Sequence, residues 1–331
     1  PPAAPRPPSR RRTPAGTAAT TPPPTRTDLG GPNRTSTPTA TGAVATAPAD
    51  PVASASPAAA AWAAWHAERE DGLRPPHGWL SLVAYHALPA EPAALPGIPG
   101  LWWADADGAH HSADEGGAVR TTTGSAVGTV VVAEGGSTVA GTFLPHDRDA
   151  GDPADGGETR EVAVEVVRRT GRYAVRVRDP LAPARTAFDG VPTFAYDPAW
   201  VVDAPVRWYD APRPVVVGAA RPGLVHHVRT VGEVDLVVER DGARRGATLA
   251  LTGAPDGAVT LLFSDEADGV APWRVLRVDA DAVPGTAGSV RLDLNRAVNL
   301  PYAFSDFGTC PAPVEGNHVP FAVTAGERAP R

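Results

Sequence analysis

Between Val162 and Val177 the chain pairs with itself in one way only. Val162, Val164 and Val166 alternate with Glu161, Ala163 and Glu165, and Tyr173, Val175 and Val177 alternate with Arg172, Ala174 and Arg176. With Thr170-Gly171 as a two-residue loop, Val166 faces Val175, Val164 faces Val177, and Glu165 faces Arg176. Strand side chains repeat with period two, so a slip of one residue would break the apolar and the charged pairs together. The rest of the fold has to accommodate an antiparallel hairpin at mid-chain.

The flanking sequence reads the same way. Gly78–Tyr85 is a short apolar run, and Leu101-Trp102-Trp103 precedes a turn signature at Asp105-Ala106-Asp107-Gly108. Segments 126–133 and 137–144 flank Glu134-Gly135-Gly136, which predicts a second hairpin. Further strands are expected at 200–208, 214–218, 224–231, 233–240, 247–251, 259–263, 274–278, 290–294 and 319–324. Asp241-Gly242, Pro255-Asp256-Gly257 and Pro284-Gly285 supply turns between them. Many short strands at this spacing predict a mainly β protein, with antiparallel sandwich- or barrel-like sheets in one or two packed halves. The halves would cover 75–180 and 195–327, divided by a proline-containing break at 179–198.

One helix is expected in front of the sheets, over about 57–71. Ser56 is an N-cap residue, Pro57 suits the first helical position, and Gly72 is a stop signal. Trp62, Trp65 and Arg69 share one face, the stripe of an amphipathic helix docked on a core. Residues 1–55 read differently: the first fifty contain 12 of the 38 prolines and no aromatic residue. Such a Pro/Ala/Thr/Arg-rich segment buries too little apolar surface to offset its ordering entropy, so it is expected to be a disordered tail. The β domain is expected to run over 56–327, followed by a tail at 328–331.

Composition excludes several chemistries. All 30 basic residues are arginine, so a Walker-type phosphate lysine and a Schiff-base lysine are absent. The single cysteine, Cys310, excludes a disulfide framework and a multi-cysteine metal site. The net charge of −7 conceals six arginines in the first fifty residues, which leaves the folded part acidic and argues against nucleic-acid binding by it. Ser9-Arg10-Arg11-Arg12-Thr13 has the look of a twin-arginine signal, but no apolar stretch follows it. No run approaches the length of a membrane helix, so neither membrane association nor export is expected, and the location expected is cytoplasmic.

Neither Gly-x-Ser-x-Gly nor Gly-x-Gly-x-x-Gly is present, and no cofactor signature is found. The histidine pairs 110–111 and 226–227 would point to opposite faces of a strand and cannot chelate from there. The acidic loop at 146–152 lacks the Gly and Glu of a calcium loop. Cysteine catalysis would need a base such as His318 beside Cys310. The densest polar segment is Asp293-Leu294-Asn295-Arg296-Ala297-Val298-Asn299. Its Asx residues either shape turns or line a pocket.

That segment, with Pro301, Cys310-Pro311-Ala312-Pro313 and Asn317, resembles the domain-of-unknown-function family 1684. Trp65-His66-Ala67-Glu68-Arg69-Glu70, Pro76-His77-Gly78-Trp79-Leu80-Ser81-Leu82, Arg169-Thr170-Gly171-Arg172-Tyr173, Arg178-Asp179-Pro180 and Tyr196-Asp197-Pro198 agree with it. The resemblance covers about 60–327 and implies a β-rich bacterial protein without an assigned activity. The chain departs from the family pattern in three places. Tyr302 stands where a cysteine is usual, and Gly269-Val270-Ala271-Pro272-Trp273 replaces a Tyr and several glycines before Arg274. His318 replaces an arginine.

Three functions from different classes follow. The first is binding of a small anionic molecule at a site rimmed by Arg274, Asp293, Asn295, Arg296, Asn299, Asn317 and His77, since arginine pairs bidentately with carboxylate and phosphate. The second is a hydrolase-like enzyme with Asp293 or His77 as acid/base. The third is an interaction module presenting Trp102, Trp103 and Trp273.

Overall fold

The structure is a computed structural model. It describes residues 56–330 apart from 115–116, 118, 122–127, 146–159, 241, 254–256 and 279–287. The expected disordered tail at 1–55 and the acidic loop at 146–152 lie outside the described residues.

The chain is mainly β. Helix α1 is Pro57–Asp71, capped by Ser56 Oγ accepting from the Ala59 amide at 3.2 Å. The helix ends where expected, with Gly72 as its C-cap; that glycine stays right-handed at φ −65°, and its amide donates to the Glu68 carbonyl. The first half then contains β1 (Leu82–Ala87), β2 (Ala93–Leu95), β3 (Ile98–Ala104), β4 (Ala109–Ser112), β5 (Gly128–Val130), β6 (Ser137–Phe143), β7 (Val162–Arg169) and β8 (Arg172–Arg178). After a single-turn helix α2 (Pro183–Thr186) come β9 (Val201–Gly218), β10 (Val225–Arg240), β11 (Ala243–Gly253) and β12 (Val259–Asp265). The chain finishes with β13 (Arg274–Val278), β14 (Gly288–Asp293), β15 (Val298–Asn299) and β16 (His318–Val319).

Among the described residues three sheets result, in the orders β1-β8-β7-β6, β2-β3-β4-β5 and β14-β9-β10-β11-β12-β13-β15, with β16 beside β12. The mid-chain hairpin has the expected register: Val166 faces Val175, Val164 faces Val177 and Glu165 faces Arg176. Its loop has positive φ at both residues, 56° at Thr170 and 73° at Gly171, the twist that continues a right-handed ribbon. Glu134 clamps this loop, its two carboxylate oxygens accepting from the Thr170 and Gly171 amides.

The expected hairpin across 134–136 does not form. The turn exists, but β5 pairs with β4 and β6 pairs with β7, so the strands on either side of it belong to different sheets. The expected strands 200–208 and 214–218 are one strand, β9, despite Pro205, Pro212 and Pro214. Among the described residues β14 pairs with β9 from Val201 to Val206, Pro205 included, which leaves Pro212 and Pro214 on an edge where missing amide donors are tolerated. Likewise 224–231 and 233–240 merge into β10, bent by a bulge between Thr230 and Gly232. Beyond Val319 the expected last strand is irregular chain.

Among the described residues the two larger of three buried apolar clusters hold the sheets. Val162, Val164, Val166, Val175 and Val177 pack with Trp102 and Ile98 in the first half, and Val234, Leu236, Leu249, Leu261, Phe263 and Leu276 pack in the second. Each fully buried Val or Leu contributes about 1.5–3 kcal/mol relative to exposure. Helix α1 adds no buried residue to either core. It is docked by hydrogen bonds, from Trp62 Nε1 to the Asn295 carbonyl at 2.8 Å and from Arg69 Nη2 to the Asn299 carbonyl at 2.9 Å.

Candidate anion site

The polar residues of the C-terminal segment are engaged with the backbone. Arg274 is fully buried and donates to Asp265 Oδ2 at 2.7 Å and to the carbonyls of Val323, Ala325 and Glu327. Asn317 accepts from the Ala250 amide and donates to the Ala250 and Leu262 carbonyls, tying β11 and β12 together at the end of the sheet. Asn295 exchanges hydrogen bonds with the Asp197 backbone, and Asp293 caps the turn at 294–296 by accepting from the Asn295 amide. Arg296 lies 3.4 Å from Asp293 and 5.2 Å from the Trp65 ring. Asn299 donates its amide to Glu327 and its side chain to the Arg328 carbonyl, leaving buried Oδ1 without a partner. His77 is exposed and bonds the Glu161 carbonyl. Arg274 and Asn299 are cross-strand partners on β13 and β15. Arg274 and Asn317 brace the second core, Asp293, Asn295, Arg296 and Asn299 form the ledge that receives α1, and His77 sits in the first half.

The tryptophans named for an interaction surface are engaged too. Trp102 is buried against His111, Trp103 stacks on His110 at 5.2 Å, and Trp273 stacks on Tyr302 at 4.2 Å. Tyr302 closes both backbone bonds of Trp273: its hydroxyl accepts from the amide and donates to the carbonyl. His318 contacts Ser264 and lies 3.9 Å from Glu266. Burial pushes the Cys310 thiol up, away from the thiolate. Among the described residues no cluster has the composition of a metal site, and no helix is long and apolar enough to cross a membrane.

A different group of charges stands out on the sheet of β1, β8 and β7. Its apolar face packs the first core. On the opposite face Tyr85, Arg176 and Glu165 sit side by side across the three strands, with Arg178 and Arg169 beyond them. Such a face normally meets water. Here Arg169 is 8% exposed, Arg176 3%, Arg178 6% and Glu165 7%. Part of the cover comes from the first half, where the Trp79 ring lies 4.7 Å from the Arg178 guanidinium and 5.6 Å from that of Arg176, and part from the second. Arg176 Nη2 donates to Thr309 Oγ1, His226 Nε2 donates to the Thr309 carbonyl, and Thr170 Oγ1 bonds both backbone groups of Val225.

The charges on this face do not balance. Glu165 Oε2 accepts two hydrogen bonds from Arg178 and lies 3.6 Å from Arg176. Among the described residues Arg169 makes no ion pair within 4 Å, although Glu165 and Glu134 are near enough to act on its charge; Nη1 donates to the Gly136 and Arg168 carbonyls. Nε of Arg169 and Nε of Arg176 are buried without an acceptor. Desolvation pushes both guanidiniums down, Glu165 opposes this for each, and they still carry charge at neutral pH. Burial raises the Tyr85 phenol against the pull of Arg176 and Arg221, and lowers His226, which keeps that imidazole neutral. Burying a cation without a counter-charge is costly. Two N–H donors without acceptors thus lie next to a phenol and a neutral imidazole, and an N–H of a guanidinium is a donor suited to an oxyanion.

This group was missed in the sequence because Arg169, Arg176 and Glu165 occupy the polar positions of an alternating hairpin. Only the excess of arginine over glutamate in that hairpin pointed to it.

Residues 186–328 match the family described as Protein of unknown function (DUF1684). The match spans β9 to β16 and includes Arg274, Asn299, Cys310 and Asn317, while the arginines of β7 and β8 precede it. No curated protein matches the chain. Among solved structures it is similar to an uncharacterized protein of Haloarcula marismortui determined by solution NMR, with 27% identity over 44% of this chain and 78% of that one, at a TM-score of 0.35. Over residues 186–328 the chain is thus similar to the DUF1684 family of proteins of unknown function.

Proposed function

We propose that this protein binds a small oxyanion, a phosphate or carboxylate group, in the joint between its two β halves. The observation that carries the reading is the pair of buried, acceptor-less Nε–H groups of Arg169 and Arg176, on a face where Glu165 pairs with Arg176 and Arg178. The ligand would supply the missing charge. Thr309 and His226, already bonded into the joint, would close it from the other half.

The test is thermal unfolding with inorganic phosphate and with acetate, at ionic strength held constant with chloride. A bound anion stabilises by mass action, about 2.7 kcal/mol at a hundredfold excess over Kd. A saturable rise in Tm is expected with at least one of the two. Arg169→Met and Arg176→Met should each abolish that rise, and Arg169→Met should not lower Tm in anion-free buffer, because an unpaired buried charge has been removed. No saturable rise, or the same rise in both variants, overturns the reading.

A further inference from the structure

A cavity of about 550 Å³ opens where the last turn of α1, the turn at 79–81, α2 and the turn at 301–303 meet. It is separate in its lining from the arginine joint and has the opposite character. Leu80, Val191, Phe188 and Phe304 provide apolar and aromatic walls. The two charged side chains in its lining, Glu70 and Asp189, are both carboxylates.

Glu70 is built into place. Its Oε1 accepts from the Val191 amide at 2.7 Å, and His66 Nδ1 lies 3.7 Å from the same oxygen. Gly190 lets it approach: a Cβ there would fall 2.8 Å from Oε1, at a backbone φ of +133° that other residues rarely adopt. Among the described residues Oε2 makes no hydrogen bond. Phe188 already serves as a cation platform, with the Arg74 guanidinium 5.0 Å from its centroid.

We infer that this cavity is a binding site for a small organic cation, a primary or quaternary amine with an apolar body. The ammonium group would lie against the Glu70 carboxylate and the aromatic faces, since a ring quadrupole and a fixed carboxylate both attract a cation that sheds part of its water. The body would lie against Leu80 and Val191. The volume is within the range of small-molecule sites, and a few placed polar groups in an apolar wall set the orientation.

The experiment uses the full chain, with benzylammonium and tetramethylammonium as probes and benzyl alcohol as the uncharged control, followed by NMR chemical-shift titration. Saturable shifts at Phe188, Val191 and Phe304 are expected for at least one cation, with benzyl alcohol at least tenfold weaker than benzylammonium. Glu70→Gln keeps an acceptor for the Val191 amide and should weaken cation binding at least tenfold. Phe304→Leu preserves the apolar wall and should weaken tetramethylammonium more than benzyl alcohol. It keeps the test decisive if Glu70→Gln loses its fold. Absence of saturable shifts with both cations overturns the inference. So does equal binding of the alcohol, or unchanged cation affinity in a folded Glu70→Gln chain.

Discussion

Arg69 on helix α1 and Glu327 near the C-terminus, 258 residues apart, form an ion pair of 3.2 Å in which the carboxylate is almost wholly buried. The other carboxylate oxygen accepts from the Asn299 amide at 2.6 Å. A helix with no buried residue is thus fastened to the second core by one charge and by its bonds to the 295–299 ledge. Burial pushes the Glu327 carboxyl up, against the opposing pull of Arg69 and the Asn299 amide.

That shift has a defined sign. An acid whose folded pKa lies above its unfolded value binds more protons in the folded state. Its contribution to stability is therefore full at low pH, and it falls as pH rises from the unfolded value, about 4.3. The stability difference between wild type and Glu327→Gln should decline as pH rises from 4, levelling off once the folded carboxyl has ionised. Urea unfolding at a series of pH values measures it. A difference that grows over that interval would contradict the assignment.

Glu165 behaves in the opposite way. Burial acts to raise its carboxyl, but Arg178, Ser137 and Arg176 together outweigh it and hold the group below the ordinary range. Its contribution is present above the unfolded pKa and is lost as pH falls through the lower folded value. Glu165→Gln should cost about 3 kcal/mol at neutral pH, because Arg176 and Arg178 lose their shared counter-charge inside the joint. The penalty should shrink in acid. If phosphate or acetate fills the joint as proposed, saturating ligand should recover part of the loss. Denaturant unfolding with and without ligand checks both points.

The hairpin shows how much of the fold was legible. Its register could be read from alternating residues because both strands and the loop are adjacent in sequence. The pairing of β5 and β6 could not, because Gly135-Gly136 announces a turn without saying which strands it joins. Pro205, Pro212 and Pro214 look like interruptions of one long strand; Pro205 pairs with Ser289 of β14, and Pro212 and Pro214 lie beyond the end of that pairing. The same limit applies to the site. That Glu165 faces Arg176 was readable. That both are buried depends in part on Thr309 and His226, brought over them from the other half.

Two glycines separate conformational from steric cost. A Cβ on Gly171 would meet nothing within 4 Å, so Gly171→Ala is expected to cost only the left-handed conformation, about 1–2 kcal/mol. At Gly141, beside the bulge in β6, a Cβ would stand 2.4 Å from the Arg120 carbonyl oxygen and 2.6 Å from Val119 Cγ1. Gly141→Ala should therefore cost more than Gly171→Ala, as the overpacked backbone has to move. Thermal unfolding of the two variants side by side gives the order, and the reverse order would mean that β6 yields more readily than its pairing implies.

Arg274 provides the sharpest test of whether the polar C-terminal residues are scaffold. Its guanidinium makes four hydrogen bonds that converge from Asp265 and from the carbonyls of Val323, Ala325 and Glu327, so it fastens the irregular last segment to β12 and β13. A lysine would keep the charge but lacks the planar fork that reaches several acceptors at once. Arg274→Lys should cost about 3 kcal/mol, nearly as much as Arg274→Met, because in both the carbonyls and Asp265 lose partners in a dry site. Hydrogen exchange should then speed up first at Val323 and Glu327, whose amides are held by Asp265 and the Ala297 carbonyl in the same segment. The anion-dependent rise in Tm should survive in Arg274→Lys, since that side chain contacts the second core and not the joint. Loss of the anion response with little loss of stability would return Arg274 to the binding site and remove Arg169 and Arg176 from it.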